Sequence, residues 1–401
     1  MKTVLVSFLG TGGRAKGEKK EYSKTVYKLP SGEKVETKLI TSVLFNYLKP
    51  DKLIIIGTPQ SVWSELEELS PSLEETPEYE EIFEQVWGKK NVDFDSLKRW
   101  EEAISKTLNK EISLRLVDEA EEEEIVKALN EEIPENTSLY LDITHAFRHF
   151  PLVAAFFIPT LRYLKNLRDV KLIYGKYAKE NEKLPSEVIF LDIAGKLVNL
   201  LEAVALVKNT GNFEKFASIL GEKELEKLYL RVETNRPLRD REIGRIKEKL
   251  EETLNRDILT SIASSVLKKD VIPYLEADSI EERMAKRALF FAERKQFLKA
   301  YTLMIESIIL LSSKVFQIKD LKYSHNRFET IYNNLPAPYR EYYKTINTIR
   351  NAIAHGDINL HDKTKITLSK EEKLKDWIKK GYETVKYLLK QKEKKHENLS
   401  S

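Results

Sequence analysis

The sequence predicts an α/β N-terminal domain built on a Rossmann-like doubly wound sheet, followed by an all-α helical connector and a helical bundle. Two observations predict it. Across the first 195 residues, short β-rich runs alternate with amphipathic helical segments, the pattern of a parallel sheet covered by helices on both faces. After Asp192 the strand pattern stops and the remainder reads as helix. A length of 401 residues suits two or three domains, and we assign 1–195, 196–275 and 276–395.

In chain order, residues 4–8, 53–56, 112–117, 139–143, 170–174 and 188–191 read as strands, mostly apolar on both faces as central parallel strands are. Helical periodicity lies between them at 41–48, 61–69, 78–110, 120–131 and 147–164. Residues 24–29 and 34–37 flank Pro30-Ser31-Gly32 and read as a hairpin just after the first strand. A helix at 196–208 leaves the sheet domain. Residues 213–258 are helical, crowded with Lys, Arg and Glu, and interrupted at Asn235-Arg236-Pro237; such charge runs read as a solvated face. Long helical patterns follow at 280–315, 338–355 and 370–392, with a frayed tail expected at 392–401.

Composition narrows the function classes. With 41% hydrophobic and 33% charged residues and only 14 Gly and 13 Pro, the chain is a folded protein with a heavily charged surface. It has no Cys, which excludes disulfides, thiolate metal sites and a thiol nucleophile. A net charge of +3 does not announce a nucleic-acid binder, so any RNA site must be local. The N-terminus lacks the long apolar core of a signal peptide, and the most apolar stretch, 151–161, is short of the roughly 20 residues that span a bilayer. A soluble, cytoplasmic protein with no membrane association is expected.

The informative C-terminal segment is 343–356, YKTINTIRNAIAHG. Ile346, Ile349 and Ile353 form one apolar helical stripe; Asn351 and His355 share another face, with Arg350 beside it. Gly356 is the residue favoured just past a helix end, which puts His355 in the last turn, where the helix dipole favours a cation. An imidazole and a guanidinium suit metal-independent RNA cleavage. The first moves protons from the ribose 2′-hydroxyl and to the leaving 5′-oxygen, and the second stabilises charge on the phosphate. Asn351 offers an amide to hold the imidazole or a phosphate oxygen. An Arg and a His five apart also recur by chance, and histidine near a helix end is a favoured cap. Spacing alone therefore leaves both readings open. Of the six histidines, only His355 has an Arg five residues before it. His325, His361 and His396 have no comparable setting, and no spacing here matches a metal-ligand set, so no metal is expected.

The string from Arg350 to His355 resembles the signature of HEPN ribonucleases: an Arg, a polar residue, further positions, then His. The preceding helical segment 294–306, with its aliphatic face and inward Glu306, resembles a HEPN helix; together they cover roughly the last 120 residues. The resemblance implies catalytic roles for Arg350, Asn351 and His355, in a composite site formed by two protomers.

Two N-terminal loops lie at the carboxyl ends of candidate strands, where doubly wound sheets bind ligands. The first is Ser7-Phe8-Leu9-Gly10-Thr11-Gly12-Gly13-Arg14, whose glycines let backbone N–H groups approach a phosphate or ribose and whose Thr11 and Arg14 add donors. The second runs from Leu141 to His149. In it Asp142 or Thr144 is expected to cap the following helix, while His145 and Arg148 lie near that helix's N-terminus. A plain glycine turn and a plain helix cap are the alternatives. Gly10-x-Gly12-x-x-Ala15 formally fits a dinucleotide fingerprint but leads into a polar loop instead of opening a helix.

Together with Ile56-Gly57-Thr58 and Trp63, these loops resemble the motifs of the CRISPR-associated Rossmann fold, CARF, across about the first 195 residues; Ala146 stands where the common form has Gly. The resemblance implies a ligand site at Gly10, Thr11, Gly12, Arg14, Gly57, Thr58, Trp63, Asp142, Thr144, His145 and Arg148. It further implies that a homodimer binds a cyclic oligoadenylate as activator, cyclic tetra-adenylate favoured over hexa-adenylate, and then cuts single-stranded RNA with no other cofactor in type III CRISPR defence. Slow cleavage of the ligand by Thr144 and His145 is a further implication. The competing reading is a ligand-responsive regulator whose charged helical half binds DNA or a partner protein without catalysis.

Overall fold

The computed structural model describes residues 2–12, 22–145, 147–178, 186–318, 325–356 and 361–400. The chain divides into two compact units, Met1–Val198 and Asn199–Ser401.

The first unit is an α/β domain on a mixed eight-stranded sheet. Its strands are β1 (Thr3–Leu9), β2 (Thr25–Lys28), β3 (Lys34–Thr37), β4 (Lys52–Gly57), β5 (Glu111–Leu116), β6 (Ser138–Asp142), β7 (Asp169–Lys176) and β8 (Ser186–Phe190), in the spatial order β3-β2-β8-β7-β6-β1-β4-β5. The five strands β7-β6-β1-β4-β5 are all parallel. Strand β8 runs antiparallel to β7, and the β2–β3 hairpin adds to β8, so the hairpin extends the sheet. Strand alternation sorts the core into two layers. From β1, Leu5 and Leu9 enter the layer covered by α1 (Ile40–Leu48) and α3 (Phe94–Leu108), with α2 (Pro77–Glu84) beside it. Val4, Val6 and Phe8 enter the layer covered by α4 (Glu122–Glu132) and α5 (His149–Leu164).

The second unit is helical. Helix α6 (Asp192–Thr210) leads into α7 (Lys215–Leu220), α8 (Lys223–Glu233), α9 (Asp240–Thr253), α10 (Ile258–Asp270) and α11 (Ile272–Leu275). Then come α12 (Ile280–Glu293), α13 (Phe297–Phe316), α14 (His325–Asn334), α15 (Tyr339–His355), α16 (Asp362–Leu368) and α17 (Glu371–Ser400). One apolar core runs from Leu200 to Leu388, through both the segment read as a connector and the later helices. Helix α17 passes close to α13 and α15 at Gly381, where a Cβ would come within 2.6 Å of Met304 and 2.9 Å of Ile346. Arg283 and Arg287 of α12 bind the interruption at 235–237 from below. The fully buried Arg287 donates to the carbonyls of Val232 and Arg236 at 2.9 Å, and Arg283 donates to Leu238 O at 2.5 Å. Val232 O, in the last turn of α8, also accepts from Asn235 N at 3.2 Å, while Arg236 and Leu238 lie in the connection beyond the helix, where side chains supply donors. Burial, and then Arg283, holds the Arg287 guanidinium down to about 10.

Four sequence expectations are corrected. Residues 61–69 form a 3₁₀ segment, Trp63–Leu69, not an α-helix. The helix expected over 78–110 is two, because the Gln85 amide grips Asp93 (2.6 and 2.9 Å) and Asp93 caps Ser96 N at 2.8 Å, starting α3 afresh. The helix expected over 280–315 breaks at Lys295, with φ at +60°; there Arg294 and Gln296 donate to the last carbonyls of α6, Val207 O and Thr210 O, both at 2.8 Å. The tail expected to fray continues as helix to Ser400. Among the described residues, no helix is long and apolar enough to cross a membrane.

Replacing Arg287 by Ala removes the side-chain donor from Arg236 O and one of two donors from the buried Val232 O, at about 1–3 kcal/mol in all, offset in part by removal of a buried charge. A net loss on the order of 2 kcal/mol in urea unfolding is expected; an unchanged midpoint would contradict this role.

Candidate functional site

The strand order fixes where a crevice must open. Strand β1 is central; among the parallel strands, β4 and β5 are added on one side of it and β6 and β7 on the other, so the strand order reverses between β1 and β6. That is the switch point of a doubly wound sheet, where ligands bind. The loops after β1, β4 and β6 carry the predicted residues.

Asp142 ends β6 and is fully buried. Its carboxylate accepts from Ser7 Oγ at 2.5 Å, Thr144 Oγ1 at 2.5 Å, Thr144 N at 3.0 Å and Thr41 Oγ1 at 3.4 Å. Ser7 and Thr41 hydroxyls also meet at 2.6 Å, and Thr144 Oγ1 accepts from Gly175 N at 2.8 Å. Four elements, β1, α1, β6 and β7, are thereby tied at one point. Asp142 and Thr144 do not cap the next helix, as the sequence suggested: α5 starts at His149 after Arg148, with no side-chain cap. The carboxylate is instead spent on holding the loop.

The β4 loop is locked from within. Trp63 is fully buried and donates its indole N–H to Thr58 O at 2.9 Å. Ser61 Oγ accepts from Thr58 N at 2.9 Å and donates to Leu9 O at 2.7 Å, and Val62 N donates to Gly10 O at 3.0 Å. Gly57 must be glycine here, since a Cβ would stand 2.8 Å from the Trp63 ring and 2.9 Å from Ser61 Oγ. Gly57, Thr58 and Trp63 thus belong to the segment after β4 that braces the loop after β1; Thr58 and Trp63 are buried side chains.

Gly10, Thr11 and Gly12 follow β1, and Gly12 has φ at +76°, a conformation glycine adopts without strain. Gly10 N donates to Tyr22 Oη at 2.8 Å, and the Tyr22 ring lies against His145 with centroids 4.1 Å apart. Burial pushes the Tyr22 phenol well above its ordinary value. His145 Nε2 is buried with no hydrogen-bond partner among the described residues. Burial holds this imidazole below the ordinary histidine range, against the opposing pull of Asp142. A buried polar atom without a partner is costly, and a ligand acceptor or donor would relieve it. Arg148 is exposed at the start of α5. Arg14 lies outside the described residues.

Ser7, Thr41 and Tyr22 are site residues that sequence reading did not select. Ser7 left one trace, a hydroxyl in the otherwise apolar run Val4 to Leu9; Thr41 and Tyr22 left none.

In the helical unit, Tyr343, Ile346, Ile349 and Ala352 form the buried stripe of α15, with Ile353 half-buried. Gly356 closes the helix at φ +60° and donates to Ala352 O at 3.1 Å. Asn351 and His355 are exposed on one face. Arg350 is half-buried on another, 3.4 Å from Asn347 Oδ1. It adjoins the Tyr343 phenol, which burial pushes up to about 12; Arg327 and Arg350 pull it down and Glu306 raises it. Five residues are about 140° of helical rotation, so within one chain Arg350 and His355 diverge.

Comparison with known proteins finds similarity in the N-terminal unit to a described family. Residues 4–181 match the family described as CRISPR system endoribonuclease Csx1, CARF domain. The chain is 25% identical over 402 aligned positions to CRISPR-associated protein MJ1674 of Methanocaldococcus jannaschii, with 90% of this chain covered. It spans 63% of the length of that relative. Among solved structures, Enterococcus italicus Csm6 bound to cyclic hexa-2'-fluoro-hexa-dAMP aligns with a TM-score of 0.39 and 12% identity, over 97% of this chain and 94% of that one.

Replacing Ser7 by Ala removes the 2.5 Å donor to a buried carboxylate. A destabilisation of about 1–3 kcal/mol is expected in denaturant titration; a loss under 0.5 kcal/mol would show that the carboxylate does not depend on Ser7.

Proposed function

We propose that this chain, whose residues 4–181 carry a CARF domain, is a cyclic-oligoadenylate-activated, metal-independent endoribonuclease that cuts single-stranded RNA in type III CRISPR defence. The observation that carries the reading is the convergence of three strand-end loops on a crevice holding the Gly10–Gly12 backbone and the unsatisfied His145 Nε2. Main-chain N–H groups with a glycine approach suit phosphate, and Arg148 at the rim supplies positive charge. Cyclic tetra-adenylate is the favoured ring. For slow cleavage of that ring His145 is the available group, because the Thr144 hydroxyl is engaged by Asp142 and Gly175.

The working form is a homodimer. Helix α5 buries Phe150, Ala154, Ile158 and Leu161 against the sheet, yet its outer face is apolar too, with Leu152 57%, Phe156 77% and Tyr163 66% exposed. A helix that is hydrophobic all round belongs in an interior, and a second copy gives this one an interior. Pairing also answers the divergence of Arg350 and His355, since the guanidinium of one protomer can serve the imidazole of the other. His355 then moves the protons, Arg350 stabilises the phosphate charge, and Asn351 orients one of them. Activation requires only that the ring bind the productive dimer arrangement more tightly than the idle one.

The test is RNA cleavage against a panel of cyclic oligoadenylates in EDTA. Wild type is expected to cut with cyclic tetra-adenylate, and His355→Ala to lose cleavage by at least a hundredfold while binding the ring unchanged. Intact RNA with every ring, alongside a duplex-DNA band shift, would support the non-catalytic regulator instead.

A further inference from the structure

A cavity of about 610 Å³ opens between α15, α16 and α17, lined by Glu341, Lys344, Thr348, Lys363, Thr367 and Trp377 among others. Its size falls within the range of small-ligand pockets. Its position is the informative part. Lys344, Thr348, Asn351 and His355 are spaced four, three and four apart, so they occupy one face of α15. The cavity therefore opens along the same exposed track that ends in His355. At about 1.5 Å per residue, Thr348 lies about 10 Å and Lys344 about 16 Å from His355 along the axis.

We propose that this cavity is a binding subsite for a nucleotide of the single-stranded RNA, one or more residues away from the phosphate that is cut. The proposal rests on the endoribonuclease reading and adds where the strand runs. Each component of a nucleotide finds a partner of the right chemistry. Trp377 forms an aromatic wall for the base, itself supported edge-on by Tyr342 at 6.2 Å. Lys344 and Lys363 are exposed ammonium groups of the kind that meets a phosphate oxygen, Lys344 lying over the Tyr332 ring at 5.9 Å. Thr348 and Thr367 donate their protons to their own helix, to Lys344 O at 3.0 Å and Lys363 O at 2.9 Å, which leaves oxygen lone pairs facing outward as acceptors. Glu341 and Asp362 are acceptors of the same kind for base or ribose hydrogens, and Tyr332 Oη holds Glu341 Oε1 at 3.0 Å. The cavity's charge is balanced, so it does not attract phosphate over a long range. It grips a strand already delivered to His355, as the chain's small net charge requires.

The test uses a 20-nucleotide RNA and the full-length protein in a His355→Ala background, where binding is read by fluorescence anisotropy without cleavage. Adding Lys344→Ala and Lys363→Ala is expected to weaken binding about tenfold at moderate salt. It should also reduce the salt slope by about 1.4, the loss of two phosphate contacts on a single strand. Both lysines are exposed, so the thermal midpoint should not move. In the His355-containing protein the same pair should raise KM for the long RNA about tenfold, keep kcat within twofold, and leave a dinucleotide substrate unaffected. Unchanged affinity and KM would overturn the subsite while leaving the endoribonuclease reading intact. A wild type that binds RNA through these lysines yet never cuts it would overturn the endoribonuclease and keep the groove. Equal losses on the dinucleotide would move the lysines into the cutting centre and also overturn the subsite.

Discussion

A fully buried carboxylate at the tip of the central sheet governs the N-terminal half. A carboxyl group buried in that position is tolerable only if its oxygens are filled by donors, and two hydroxyls, Ser7 and Thr144, and one amide fill them at 2.5–3.0 Å, with Thr41 at 3.4 Å. Each donor belongs to a different part of the unit or turns the chain away from it. Satisfying one carboxyl group thus fixes the first strand, the first helix and the loop after the sixth strand relative to each other. The crevice is the space left when that knot is tied. Its walls are held because their polar groups, the Gly10 amide included, are used inward, and His145 Nε2 is a buried group left without a partner among the described residues.

The helical half solves the opposite problem. It has one continuous core and positions its chemistry on the outside, at the last turn of a helix whose inner stripe is Tyr343, Ile346, Ile349 and Ala352. Packing decides the direction of that helix, and the direction decides that Arg350 and His355 separate by more than a quarter turn. Under the proposed function, a cutting centre whose parts diverge in one chain is silent until a second chain supplies the missing part. In the proposed mechanism this is an advantage, because association geometry, not chemistry, becomes the quantity a distant ligand has to change.

The strand–helix alternation was legible because the central strands are apolar on both faces and the covering helices, α5 apart, on one. The loops were legible because Gly12 and Gly57 are demanded by left-handed backbone and close approach, constraints that survive as residue identity. Breaks inside helical periodicity were not. Gln85 with Asp93, and Arg294 with Gln296, stop helices through side-chain hydrogen bonds to partners that sequence does not reveal. The antiparallel β8 was hidden for a similar reason, since its apolar pattern matches that of a parallel strand. Within the site, sequence located Asp142 but gave it a helix to cap; only the register of β1 beside β6 shows that Ser7 is its partner. The Tyr22–His145 contact joins residues 123 positions apart with no pattern linking them.

The most direct measurement of whether this crevice is the sensor is amide hydrogen exchange with and without cyclic tetra-adenylate. Exchange slowed at Thr11 and Gly12, with the already bonded amides of Gly10, Thr58 and Thr144 unchanged, is the predicted result. Ligand-dependent protection confined to the helical unit, with the Thr11 and Gly12 amides unaffected, would contradict it.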